Sequence, residues 1–174
     1  MAKGAKGTVQ SIHTTSDAGQ PMRELPSVRA LKGEGLEGDR YLFRRGTYSK
    51  THAPDREVTL IETETLAWLQ REHGIALPPA EARRNLVTAG VALNELIGKR
   101  FRVGSEVVLE GVRPCEPCGY LEKLTGKPVF APLKDRGGLR TFIVQGGTLR
   151  VGDAITELAE AEAAAPIPTP PSRG

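Results

Sequence analysis

Glycine and proline punctuate this chain so often that few stretches between them can be anything but short strands. The 20 Gly and 13 Pro in 174 residues supply backbone freedom or remove backbone donors at close intervals. Apolar and β-branched runs survive between the breaks. They are Gly7 to His13, Val28 to Leu31, Glu57 to Ile61, Leu86 to Thr88, Val107 to Leu109, Leu139 to Val144 and Ala154 to Leu158. Each reads as a strand. The clearest helix is Glu62 to His73, with Leu66 and Leu69 three apart, Trp68 and Leu69 as expected core residues, acidic Glu62 and Glu64 at its start and Gly74 as its stop. A second, short helix is expected from Gly119 to Thr125, closed by Gly126. The pattern favours short strands over long helices. Gly98–Gly104 echoes Gly146–Gly152, each ending Arg-Val-Gly before a strand-like run, as two equivalent strand entries of one barrel would.

Length fits one domain, expected over residues 7–158, after a flexible N-terminus 1–6 and before an Ala/Pro-rich tail 159–174. The tail's composition predicts disorder beyond Pro166 and tolerance of truncation at Ala165. Net charge is +3, from 24 basic and 21 acidic residues, a balance that argues against nucleic acid but suits a small anionic ligand. No apolar run is long enough to span a bilayer, and the first residues lack a signal-peptide core. Two cysteines are too few for a disulfide-stapled secreted scaffold, so a reducing cytoplasm is the expected location.

Both cysteines lie in Arg113-Pro114-Cys115-Glu116-Pro117-Cys118-Gly119-Tyr120, between a strand pattern and a helical one. Thiolates are versatile nucleophiles and soft-metal ligands, and two prolines stiffen the loop that carries them. A structural zinc site needs four ligands, and neither a second Cys pair nor spaced histidines (His13, His52, His73) complete one. A thioredoxin-type pair wants a βαβ context that the strand-rich surroundings do not offer. A second candidate is Gly33-Glu34-Gly35-Leu36-Glu37-Gly38-Asp39-Arg40, whose glycines allow close backbone approach beside a charged pair. It matches neither a Walker nor a dinucleotide fingerprint. Tyr41 to His52 reads as a long, partly mobile loop.

Taken in order, Gly35-Leu36-Glu37-Gly38-Asp39-Arg40, Val58-Thr59-Leu60-Ile61-Glu62, Arg83-Arg84-Asn85-Leu86-Val87-Thr88, Leu96-Ile97-Gly98, Phe101-x-Val103-Gly104 and Arg113-x-Cys115-x-Pro117-Cys118 resemble the ordered motifs of the MOSC domain. The resemblance runs from about Gly7 to about Leu158. It implies a β-rich, mainly antiparallel fold, a closed or nearly closed β-barrel with short peripheral helices. It also implies a molybdenum cofactor (molybdopterin), with Cys118 binding the metal or carrying transferable sulfur, and Cys115 beside it. Gly35, Gly38, Asp39, Arg40, Arg84 and Asn85 would line the same cleft. The chemistry is consistent, because molybdenum in a dithiolene favours a thiolate and a phosphate favours guanidinium forks or backbone N–H groups.

The resemblance has departures. Molybdenum cofactor sulfurases add a pyridoxal phosphate-dependent desulfurase domain, and the larger reductases add an N-terminal region; neither is present in these residues. Sulfur or electrons would therefore come from a partner, a cysteine desulfurase or a reductase, and pyridoxal phosphate would enter only through the former. The expected function is an oxidoreductase reducing N-hydroxylated small molecules, with Cys118, Asp39 and Arg40 at the chemistry. The alternatives are a persulfide or cofactor carrier and a binding module without chemistry. No nucleic-acid or membrane partner is expected.

Overall fold

The computed structural model describes residues 6–45 and 53–163. The loop running to His52 and the tail beyond Pro166, for which mobility and disorder are expected, therefore fall wholly or partly outside the described residues.

Eleven strands are described: β1 (Lys6–Thr14), β2 (Arg23–Leu25), β3 (Ser27–Leu31), β4 (Gly35–Leu36), β5 (Val58–Glu62), β6 (Leu86–Ala89), β7 (Arg100–Val103), β8 (Val107–Pro114), β9 (Leu139–Gln145), β10 (Gly147–Arg150) and β11 (Ala154–Glu157). Three α-helices accompany them among the described residues: α1 (Thr63–His73), α2 (Gly119–Thr125) and α3 (Glu160–Ala163). The barrel closes because β1 pairs with β6 through Thr8–Ile12 and with β11 through Lys6–Thr8. The ring runs β1-β6-β5-β9-β8-β7-β11 and back to β1. Strand β2 extends the far end of β1, and β10-β3-β4 forms a separate small sheet. Closure leaves no bare edge around the ring.

Antiparallel pairing dominates, as expected. The exception is β5–β6, parallel with Leu60 opposite Leu86. A parallel pair needs a crossover, and α1 supplies it. That helix buries Leu66 and Leu69 against the outside of the sheet and ends on Gly74 at φ 64°. Trp68 is half-buried rather than fully core, with the Arg136 guanidinium 4.1 Å from its ring centre. Two cores result. One fills the barrel around Ile12, Leu60, Leu86, Phe101, Leu109 and Leu139. The other, around Ile61, Leu69, Leu121 and Leu133, binds α1 and α2 to the wall.

The internal echo does mark two entries into one barrel, since Gly98–Gly104 leads into β8 and Gly146–Gly152 into β11, both in the ring, but the segments themselves differ. Its first copy becomes β7 of the barrel, whereas its second becomes β10, which pairs with β3 in the small sheet. What the copies share is local: each ends in a glycine turn at positive φ, Gly104 at 70° and Gly152 at 92°. Which partner the strand then meets is decided by long-range register.

Candidate functional site

The thiol loop begins where β8 runs out. Pro114 cannot donate to the ladder, and the next residue turns away with Cys115 N donating to Gly138 O at 2.7 Å. Two glycines make that approach possible. A Cβ on Gly137 would stand 2.0 Å from Cys115 O, and one on Gly138 would stand 1.9 Å from Leu60 O. The loop then reaches α2, with Cys118 as the residue that precedes its first turn. Cys115 is buried, Cys118 is half-buried, and both thiols are free.

The loop forms one side of a cavity of about 380 Å³ at the barrel rim. Six arginines line it, Arg40, Arg56, Arg83, Arg84, Arg113 and Arg140, together with Cys115, Cys118, Thr59, Tyr120 and a single acid, Glu116. They arrive from four places: the turn after β4, the turn before β5, the segment before β6, and the facing ends of β8 and β9. Volume and polarity suit a small anionic ligand or cofactor.

The arginines are not equivalent. Arg84 is spent on the backbone, donating from Nε to Gly137 O at 2.9 Å, from Nη1 to Ala82 O at 3.3 Å and from Nη2 to Cys115 O at 3.5 Å. It is a clip that fixes the thiol loop to the segment before β6. Arg40 donates to Asp39 Oδ1 at 3.4 Å, Arg83 O at 3.3 Å and the Met22 sulfur at 3.3 Å, and stacks 4.6 Å from the Tyr41 ring centre. Arg83, in a left-handed conformation at φ 60°, donates to Gln20 O at 2.7 Å. Burial, and then the charge of Arg40, weaken the hold of Arg83 on its proton.

The sequence candidates divide accordingly. Cys115, Cys118, Arg40 and Arg84 are brought together at the cavity. Asp39 lies behind Arg40, fully buried, accepting from Thr15 N at 3.3 Å and Tyr41 N at 3.2 Å. Burial raises its carboxyl above the ordinary range, against the pull of Arg40 and the backbone N–H groups of Tyr41, Thr15 and Arg40. Asn85 is also fully buried. It accepts from Thr59 N at 3.1 Å and donates to His13 O at 3.1 Å, splicing β5, the start of β6 and β1. Gly35 sits in β4 at φ 138° and Gly38 in the following turn at φ 81°; both shape the chain that delivers Arg40 and neither lines the cavity. Arg56 and Arg140 were not singled out in the sequence, and Arg113 only as part of the Cys motif. The signal that finds them is that each stands at a strand end on the thiol-loop rim.

Among the described residues no cluster of three or more His, Cys, Asp or Glu could hold a metal ion by itself. No helix among the described residues is long and apolar enough to cross a membrane.

The fold and site together define a closed β-barrel protein with a free thiol at the mouth of an arginine-walled cleft. More particularly, the chain belongs to the MOSC domain family, whose model matches residues 47–156. That family is linked to molybdenum cofactor binding. Solved structures share the fold: the YuaD protein of Bacillus subtilis has a TM-score of 0.74 at 15% identity, covering 91% of this chain and 100% of that one. YiiM from Geobacillus stearothermophilus has a TM-score of 0.67 at 12% identity, covering 88% of this chain and 75% of that one. YiiM from Escherichia coli has a TM-score of 0.63 at 19% identity, covering 87% and 70%. No curated protein sequence matches the chain.

Proposed function

We propose that this protein binds a molybdenum–pterin cofactor through Cys118 and reduces N-hydroxylated small molecules with electrons from a partner reductase. The observation that carries the reading is the half-buried free thiol of Cys118 opening onto a cavity walled by six guanidinium groups. The donor set fits the group. A dithiolene-bound metal supplies its own sulfur ligands, needs one soft protein ligand, and carries an anionic phosphate that guanidinium groups recognise. When bound, the cofactor supplies a metal centre able to exchange electrons and oxygen with a substrate.

The chain's own residues provide the setting. Cys118 offers the thiolate, Arg84 holds the backbone of the loop that presents it, and Arg40 adds positive charge at the wall. Asp39 acts through Arg40, fixing its guanidinium from behind. Cys115, buried and close to Arg84, is a structural neighbour rather than a ligand in this reading.

Metal analysis of protein purified from molybdenum-supplemented cells tests this. Wild-type and Cys115→Ser proteins are expected to carry molybdenum and Cys118→Ser to lack it. Equal loss in both variants, or none in either, sinks the assignment. Cyanide-labile sulfur on Cys118 in place of molybdenum would instead support the second reading, a persulfide carrier served by a cysteine desulfurase, to which the same accessible thiol is suited.

A further inference from the structure

Arg113 and Arg140 stand directly opposite each other across the β8–β9 pair. A bulge between Gly111 and Arg113 sets that register; a Cβ on Gly111 would stand 2.2 Å from Leu96 O. Like charges in directly opposed positions destabilise a sheet, yet one carboxylate serves both. Asp55 Oδ2 lies 2.7 Å from Arg113 Nε but 3.7 Å from Arg140 Nη1, beyond hydrogen-bond reach. Arg140 Nε and Nη1 are buried and have no hydrogen-bond partner among the described residues. Buried donors left without an acceptor are costly and point to a missing one. Across β5, by contrast, all three nitrogens of Arg84 donate to backbone carbonyls.

We propose that Arg113 and Arg140, keyed by Asp55, form an oxyanion subsite that takes a phosphate group at the β8–β9 end of the cleft. Two guanidinium groups against one carboxylate leave an uncompensated positive charge, with Arg56 lining the same cavity. A phosphate dianion supplies both the charge and enough acceptor oxygens for two forks. The phosphate belongs either to the pterin cofactor or to a phosphorylated substrate. The subsite goes beyond the metal assignment to Cys118 and does not depend on it.

Calorimetric titration of the full-length protein with inorganic phosphate at low ionic strength tests the subsite. Wild type is expected to bind saturably. Arg140→Met should weaken binding by about tenfold or more, the usual worth of a charge-assisted hydrogen bond, and Arg140→Lys should recover part of it. Arg71→Met, which removes an exposed arginine paired with Glu72, should leave binding unchanged. No saturable binding in wild type, unchanged affinity in Arg140→Met, or equal loss in Arg71→Met overturns the proposal. Should Arg140→Met fail to fold, Arg113→Met, altering a side chain more than half exposed, takes its place, and an unchanged affinity there overturns the proposal equally. Repeating the titration on cofactor-loaded protein separates the sources. Loss of phosphate binding assigns the subsite to the cofactor, and retention assigns it to the substrate; both support it. Protein purified from molybdenum-supplemented cells that carries no molybdenum yet binds phosphate through Arg140 removes the metal reading and leaves this one standing.

Discussion

Replacing Arg84 by Met keeps much of its aliphatic bulk and removes the clip between the thiol loop and the segment before β6. Three carbonyls lose their donor: Gly137 O at 2.9 Å, Ala82 O at 3.3 Å and Cys115 O at 3.5 Å. The short bond to a charged donor is worth about 1.5–3 kcal/mol and the two long ones roughly 0.5 kcal/mol each. Removing a cation from beside other cavity arginines offsets part of this loss, since a buried charge carries its own desolvation cost. The net expectation is a loss of about 2–3 kcal/mol, a melting shift of roughly 4–12 °C for a chain of this size. Urea unfolding at neutral pH measures it, with an unchanged m-value confirming that the native and unfolded ensembles are otherwise alike. Because the clip ends on Cys115, alkylation of that buried thiol should speed up in the same variant under native conditions. A loss below about 0.5 kcal/mol with Cys115 still protected would refute the reasoning, because Arg84 would then be a cavity charge and not a fastener.

Three further outcomes follow from the geometry. Gly137→Ala forces a methyl group onto Cys115 O, 2.0 Å from the ideal Cβ position. It should destabilise by about 2 kcal/mol or more and expose Cys115, whereas Gly126→Ala, with open space around it, should show only backbone strain. In the native wild type, thiol labelling should modify Cys118 quickly and Cys115 slowly, since only the former is partly exposed; mass spectrometry showing the reverse order contradicts the structure. His13 is buried, its Nε2 2.8 Å from Ser11 Oγ and its Nδ1 unpartnered among the described residues. Burial lowers its pKa below 6.5, with Glu24 pulling weakly the other way. The unfolded chain therefore takes up the proton first, and stability present above 6.5 is lost as pH falls through the folded value, at up to about 1.4 kcal/mol per pH unit. His13→Gln should flatten that limb. Asp39 contributes with the opposite sign, its stabilising protonated form being lost as pH rises, so the test is the difference between wild type and variant.

What was legible in the sequence was local. The strand that became β1, the α1 crossover with its Gly74 stop, and the Cys loop between a strand and a short helix all follow from residues adjacent in the chain. Arg23–Leu25 and Gly35–Leu36 are too short to show a period, and they are strands only because Ile12 and Leu31 lie opposite them. The cleft is less legible still. Arg56, Arg113 and Arg140 share it through the β5–β9 and β8–β9 pairings, and no spacing rule joins residues so far apart. Glycines 137 and 138 look like an ordinary turn until the carbonyls of Cys115 and Leu60 are found against them.

The sequence motifs divide structural from ligand-facing roles in a way their residue types conceal. An arginine beside an asparagine suggests ligand binding, yet Asn85 is consumed in splicing three strands and Arg84 in fastening a loop. Glycine, aspartate and arginine suggest a phosphate cradle, yet Asp39 is buried and its partner Arg40 is the part that reaches the cavity. Such residues serve the fold first, because a closed barrel whose rim is built from short strands needs side-chain bonds where ladders end. Capacity for a ligand must then lie where the protein leaves donors unfilled. Arg140 is such a place at the cavity, with two buried N–H groups, Nε and Nη1, that face no acceptor among the described residues, and it lies outside the Gly-Asp-Arg and Arg-Asn motifs. A binding assay centred on Arg84 and Asn85 would therefore report mainly on folding, while one centred on Arg140 and Cys118 reports on the cleft.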